Sequence, residues 1–178
     1  GGISTVSTKI NLGSTSNSAG IVFDMDENGN GYIFHLNGSN LQFSSIQKGT
    51  VVDALNEYGE PVARSSLYIY SLPPANMSLA ADQYYNIKVD VDQASGTARC
   101  YIDKDRDGTF SAAETLTINN LYLRGGKSGI ATTNVTSGTS VAFDRNMSVT
   151  TGVNTRIIDI AAKLNAIQSY VPVPVTGG

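Results

Sequence analysis

The sequence contains no tryptophan, one cysteine (Cys100) and one histidine (His35) in 178 residues. Each scarcity removes a class of function. A single thiol closes no intrachain disulfide, so no disulfide framework staples this chain. One His and one Cys are too few ligands for a zinc site of the usual kind. Ser-His-Asp catalysis would have to run through His35, and nothing marks a nucleophile elbow. Charge is sparse too, at 15% Asp, Glu, Lys and Arg, with a net charge of −3 and a pI near 5.0. No basic cluster is present, which argues against nucleic acid and anionic membrane as partners. No apolar run approaches the length of a membrane span, so no membrane insertion is expected.

Gly, Ser, Thr and Asn are abundant. That balance suits a β-rich domain with many turns, of extracellular, cell-surface or periplasmic location. The length is enough for one domain with a substantial core. The chain begins Gly1-Gly2-Ile3, not with Met, and is expected to be a processed or trimmed piece, from which any signal peptide is already gone. Cys100 lies in a strand-like run, where a buried, inert thiol is expected.

Strand-like segments follow one another with turn residues between. Ala19–Met25 alternates Ile21, Phe23 and Met25, and Tyr32–Leu36 sets Tyr32, Phe34 and Leu36 against Ile33 and His35. The Asn28-Gly29 turn between them predicts a hairpin. Leu41 and Phe43 continue with a short strand, and Leu67–Ser71 is another. Val51–Ala63 is polar and irregular, and Pro61 disfavours a central strand there. Tyr84–Asp92 gives the clearest alternation, with Tyr85, Ile87, Val89 and Val91 on one face. After a turn at Ala94-Ser95-Gly96, Thr97–Ile102 returns with Ala98, Cys100 and Ile102 inward. Leu116–Leu123, Ser128–Thr132 and Thr139–Val149 are further strand candidates.

Directly after Ile102 stands Asp103-Lys-Asp105-Arg-Asp107-Gly108-Thr109-Phe-Ser111-Ala-Ala-Glu114. The spacing matches the twelve-residue calcium loop of EF-hands, with oxygen ligands at positions 1, 3, 5, 7, 9 and 12 and Gly at position 6. Ca²⁺ is a hard cation that takes six to eight oxygens. Asp103, Asp105 and Asp107 would turn inward as the chain curls, Thr109 would offer its carbonyl, Ser111 would bind directly or through water, and Glu114 would close the site. Calcium is the expected cofactor. A strand, not a helix, precedes this loop, so it is expected at the tip of a β-hairpin with a structural role. Asp24-Met-Asp26-Glu-Asn28-Gly29 partly imitates the same loop, but position 12 would be His35, and a plain turn is the better reading. Gly125-Gly-Lys-Ser-Gly lacks the first glycine of a phosphate-binding loop, which would fall at Leu121.

Only the C-terminal part reads as helical. Ile157, Ile160, Leu164 and Ile167 recur at helical spacing over Arg156–Ser169. Val171-Pro-Val-Pro-Val then predicts a stiff linker. The expected organisation is an all-β domain over residues 1–152, carrying the loop at 103–114, followed by a C-terminal helix and Pro-containing linker over 153–178.

Three stretches carry a family resemblance. Ala19-Gly-Ile-Val-Phe-Asp-Met-Asp-Glu-Asn-Gly-Asn-Gly-Tyr-Ile-Phe-His-Leu resembles the early hairpin of concanavalin A-like (laminin-G-like) jelly-roll domains. Tyr84–Asp103 resembles their later strand pair. Ser128-Gly-Ile-Ala and Val141–Val149 resemble their closing strands. The resemblance covers roughly residues 3–149 in order. It implies a two-sheet antiparallel β-sandwich of jelly-roll type, here with a dockerin-like calcium loop inserted where the family usually has a short turn. Trp is absent, so Tyr84 or Tyr85 takes the place of the usual aromatic before the later strand.

The resemblance implies either a carbohydrate-binding, lectin-like module or a glycan-cleaving enzyme, and fold alone does not choose. Its hydrolases carry a Glu-x-Asp-x-Glu strand, because general acid and nucleophile must flank the scissile bond. No such strand exists here. The alginate-lyase type uses Gln, His, Arg and Tyr on the concave sheet, and His35 alone does not supply that set. Sugar faces stack on aromatic rings while their hydroxyls need hydrogen bonds. Tyr68, Tyr70, Tyr84 and Tyr101, at strand positions opposite the apolar set, are the candidate platform, with His35 as a further contact. No catalytic residues are assigned. The chain is therefore expected to be a noncatalytic carbohydrate-binding accessory module of a secreted multidomain protein, stabilised by calcium. Its partners would be a polysaccharide or glycan and neighbouring domains of a longer chain, a glycan-degrading enzyme among them. The alternatives are a structural or adhesion spacer without a sugar site and, behind that, a polysaccharide lyase or glycoside hydrolase.

Overall fold

Alternating apolar residues dictate strands, and strands dominate the computed structural model, which describes residues 3–52, 62–64, 67–69, 75–144, 148–150 and 169–172. In chain order they are β1 (Ile3–Asn11), β2 (Ser18–Met25), β3 (Gly31–Asn37), β4 (Asn40–Gln47), β5 (Thr50–Val52), β6 (Val62–Arg64), β7 (Leu67–Ile69), β8 (Ala75–Asn76), β9 (Tyr84–Asp92), β10 (Thr97–Ile102), β11 (Thr115–Ile118), β12 (Lys127–Asn134), β13 (Ala142–Phe143), β14 (Ser148–Thr150) and β15 (Ser169–Pro172). One sheet has the order β11-β10-β9-β1-β13, with β14 also on β1; the other runs β15-β12-β2-β3-β4-β5, with β8 also on β4. Strands β6 and β7 form a separate small hairpin. All pairings are antiparallel. The architecture is the two-sheet antiparallel β-sandwich.

The core fills the space between the sheets. Val6, Ile10, Tyr85, Ile87, Val89, Ala98, Cys100 and Ile102 from the first sheet meet Ile21, Phe23, Tyr32, Phe34, Leu36, Leu41, Phe43 and Ile130 from the second. Phe23, Tyr32 and Phe43 pack with ring centroids 5.6 to 6.0 Å apart. Such offset contacts add to the area these large side chains bury. Tyr32 Oη donates to the Tyr122 carbonyl at 3.0 Å, so its polar end is satisfied. Cys100 is buried and free, and burial pushes its thiol well above the ordinary range, with the Asp90 charge acting the same way. An inert thiol follows.

The two sheets differ on their second faces. In the β2-β3-β4 sheet, Val22, Ile33, Ile46 and Ala131 point away from the main core and form a second buried cluster. In the β9-β1 sheet the second face carries Thr5, Lys9, Asn86, Lys88 and Asp90, none of them fully buried. Antiparallel sheets commonly keep one face in water, and here that face belongs to the sheet bearing the 103–114 loop.

Three local expectations change. Leu116–Leu123 becomes β11 over Thr115–Ile118 only; the chain leaves the ladder at Asn119, and Asn120 takes a left-handed φ of 60°. Thr139–Val149 is split between β13 and β14. At the C-terminus Ser169–Pro172 adds a strand to the β12 edge, pairing Ile130 with Val171, where a helix end and linker are predicted. Pro172 lacks an N–H, but an edge strand tolerates this on its outer side. The rest of the predicted helix lies outside the described residues. The described helical structure is one 3₁₀ turn, Ala112–Glu114, and no helix among the described residues is long and apolar enough to cross a membrane.

Candidate functional site

Strands β10 and β11 pair from Ala98–Ile118 up to Tyr101–Thr115. Residues 103–114 are therefore the tip of a hairpin. The loop is anchored to the sheet by the Asp103 N–H, which donates to the Asn86 carbonyl at 3.0 Å. Arg106 and Gly108 take left-handed φ values of 57° and 86°. Glycine suits the second of these because it lacks the Cβ that makes this region costly.

Within the curl, carboxylate oxygens of Asp103, Asp105, Asp107 and Glu114 lie within 4.8 Å of one another. Four like charges so close repel unless a cation or protons join them. Asp103 and Glu114 are buried, whereas Asp105 and Asp107 are exposed. Backbone N–H groups hold the buried pair. Gly108 and Asp107 donate to Asp103 at 2.8 and 3.1 Å, and Lys104 and Ser111 donate to Glu114 at 2.6 and 2.9 Å. Burial pushes the Glu114 carboxyl up, but the hydrogen bonds centred on Ser111 and Lys104 outweigh it and leave the pKa lowered. Asp105 is raised by desolvation, by its hydrogen bond with Asp103, and by the Asp107 and Glu114 charges. Asp107 is lowered, chiefly by the Thr109 N–H and hydroxyl, both 2.9 Å from its Oδ1.

This donor set fits a hard divalent cation. It supplies only oxygens, from one short segment, with two carboxylates buried and two exposed, and hard cations such as Ca²⁺ take oxygen ligands. Four of the six predicted ligands thus converge. Thr109 and Ser111 belong to the same loop, where their N–H groups bind Asp107 and Glu114.

Beside the loop lies a groove of about 430 Å³ across the solvent-facing side of the β9-β1 sheet. Ser7 and Lys9 from β1 and Asn86 and Lys88 from β9 form its floor. Phe110 of the loop and Asp144, just past β13, complete its lining. It continues past Lys9 to Tyr84 and Phe143 and past Asp103 to Arg106. Phe110 folds back onto Tyr101, with centroids 5.3 Å apart, and Lys88 Nζ sits 4.4 Å over the Tyr101 ring and 5.2 Å over the Phe110 ring. Tyr101 is partly covered by these neighbours; burial raises its pKa, with Asp90 adding to the shift. Tyr84 is 45% exposed at the other end. Tyr84 and Lys88 are four residues apart on β9, which places them about 13 Å apart along the strand.

Of the predicted sugar contacts, Tyr84 and Tyr101 therefore share this face. His35 does not reach it. It lies in the other sheet, 4% exposed, with Ser18 Oγ 2.9 Å from Nδ1 and Ser44 Oγ 3.5 Å from Nε2. Tyr68 is on β7, but its side chain, like all of Tyr70, lies outside the described residues. Sequence reasoning missed Lys9, Asn86, Lys88 and Phe110. The outward alternation of β9 marks Asn86 and Lys88 as solvent-facing, but their assembly with Lys9 and Phe110 needs the fold.

Comparison with known proteins now bears on this arrangement. The carbohydrate-binding module CBM66 from Bacillus subtilis has a similar solved structure, with a TM-score of 0.52 and 12% identity. The similarity covers 84% of this chain and 75% of that one. At this identity it shows a shared sandwich fold and no more. No family model matches the chain, and no curated protein does so significantly.

The imitation loop at residues 24–29 has another role. Asp24 accepts the Arg124 N–H at 2.9 Å and the Gly126 N–H at 2.8 Å, and its carboxylate lies 3.5 Å from the Arg124 guanidinium. Burial nevertheless raises its pKa, against the pull of those Gly126 and Arg124 contacts. Asp26 accepts the N–H groups of Asn28 and Asn30 at 2.8 and 2.9 Å. These carboxylates secure the β2–β3 turn and the approach to β12.

Proposed function

We propose that this chain is a noncatalytic carbohydrate-binding module of a secreted or surface protein, with Ca²⁺ ordering the 103–114 hairpin tip beside the sugar groove. The observation that carries the reading is the groove itself. It combines the aromatic side chains of Tyr84 and Phe110 with the polar side chains of Asn86, Lys9 and Ser7, on a sheet face left to solvent among the described residues. Stacking binds the apolar faces of pyranose rings, and the polar groups take their hydroxyls. The fold shared with a carbohydrate-binding module supports the same reading. Ca²⁺ would be held by Asp103, Asp105, Asp107 and Glu114, completed by Thr109 and Ser111. Its part is to fix the loop, and through Phe110 one wall of the groove.

A glycan array of the purified chain, run with Ca²⁺ and again with EDTA, tests this. The expected result is binding that drops at least tenfold in Tyr84→Ala and in Phe110→Ala while both variants keep their melting transitions. EDTA should weaken it as well. An array without any hit from folded, metal-loaded protein would overturn the reading in favour of a structural or adhesion domain.

A further inference from the structure

The charges along the groove floor are unusual for an acidic chain. Lys9 and Lys88 line it, and among the described residues neither forms an ion pair. Two carboxylates line the groove with them: Asp103, bound by the N–H groups of Asp107 and Gly108, and Asp144, whose N–H donates to the Lys9 carbonyl. Lys88 is also held in place. Two aromatic rings flank its ammonium within about a side chain's width, which limits its rotamers and removes part of its water shell. A cation so placed interacts more strongly with an incoming anion than a free surface lysine does, and less conformational freedom is lost on binding. Arg106 adds a third positive group where the groove meets the loop.

Resting on the carbohydrate-binding reading above, we infer that the groove selects an anionic polysaccharide, one whose sugars carry carboxylate or sulfate groups, with Lys88 and Lys9 taking the anions and Tyr84 stacking a ring. Neutral glycans carry no charge to meet two ammonium groups that have no ion-pair partner among the described residues, and these would contribute little. An acidic polymer would pair with them in a partly desolvated site.

The test is retention of the purified chain, in Ca²⁺ buffer, on a polyuronate, a sulfated glycosaminoglycan, a neutral glucan and a single-stranded oligonucleotide. Lys9→Gln/Lys88→Gln is compared with Lys48→Gln, which removes the same kind of charge from the β4–β5 turn outside the groove. The expected result is salt-sensitive binding to the polyuronate or the sulfated polymer, at least tenfold weaker in the double variant and unchanged in Lys48→Gln. The preferred polymer tells carboxylate from sulfate. Binding to the neutral glucan alone, indifferent to the double substitution, would overturn this inference and leave the carbohydrate-binding reading standing. Equal retention on the oligonucleotide would reduce the groove to general polyanion attraction and overturn it too. No retention on any polymer would defeat both readings.

Discussion

Glu114 is 1% exposed and uses both carboxylate oxygens on backbone N–H groups from opposite ends of its loop. Glu114→Gln puts an NH₂ against one of those donors, leaving it unsatisfied at a cost of about 2 kcal/mol. A denaturant melt should show this loss without metal present. The pH dependence has a definite sign. The folded-state pKa of Glu114 lies below the ordinary glutamate value of 4.5, so the unfolded chain protonates first on acidification. The stability it contributes is complete above 4.5 and declines as pH falls through the lowered folded value. Asp105, raised instead, takes its proton earlier and works the other way, relieving the cluster. Melts of Glu114→Gln and the parent should therefore converge at low pH. A constant gap down to full protonation would contradict this account of Glu114.

At the level of single elements, the hairpin tip joins twelve residues to strands that keep their register on their own core contacts. A cation that binds only the folded loop stabilises it by about 2.7 kcal/mol at a hundred times its dissociation constant. For a domain of this size that is a melting shift of roughly 5–10 °C. Chelation should produce the shift in the parent and none in Asp103→Ala/Glu114→Ala; identical melts of the parent with and without EDTA would refute a bound metal. Elements also show how far the sequence could be read. Strands β9 and β10 were legible because one face of each meets water, which keeps the alternation clean. Strands β2, β3 and β4 are buried on both faces, so their alternation marks strands but not which face is the core. Strand β1 escaped notice because Thr8 occupies an inward place between Val6 and Ile10, which blurs the period of two. The ligand spacing of the loop was legible since it is local. The groove was not, because β1, β9, the loop and the segment at Asp144 meet only after folding.

On the scale of the molecule, the sandwich brings distant parts of the chain together at its edges. Strand β15 covers the outer side of β12, pairing Gly129–Thr132 with Ser169–Pro172. A chain ended before Ser169 would bare that row of N–H and C=O groups. The expected outcome is a loss of about 2–4 kcal/mol in chemical denaturation, from several ladder hydrogen bonds at once, with faster aggregation through the naked edge. An unchanged midpoint would show that β15 contributes nothing to the fold. The opposite end of the chain carries a different consequence. Strand β1 lies in the interior of its sheet, between β9 and the β13–β14 segments. Its first partner begins 73 positions after it ends, from Asn11 to Tyr84. A ribosome adding about 5–20 residues per second makes the emerging strand wait about 4–15 s for that partner. During synthesis β1 is thus an orphan for that interval, and the polar Ser4, Thr5, Ser7, Thr8 and Lys9 along it keep that orphan in solution until its neighbours arrive.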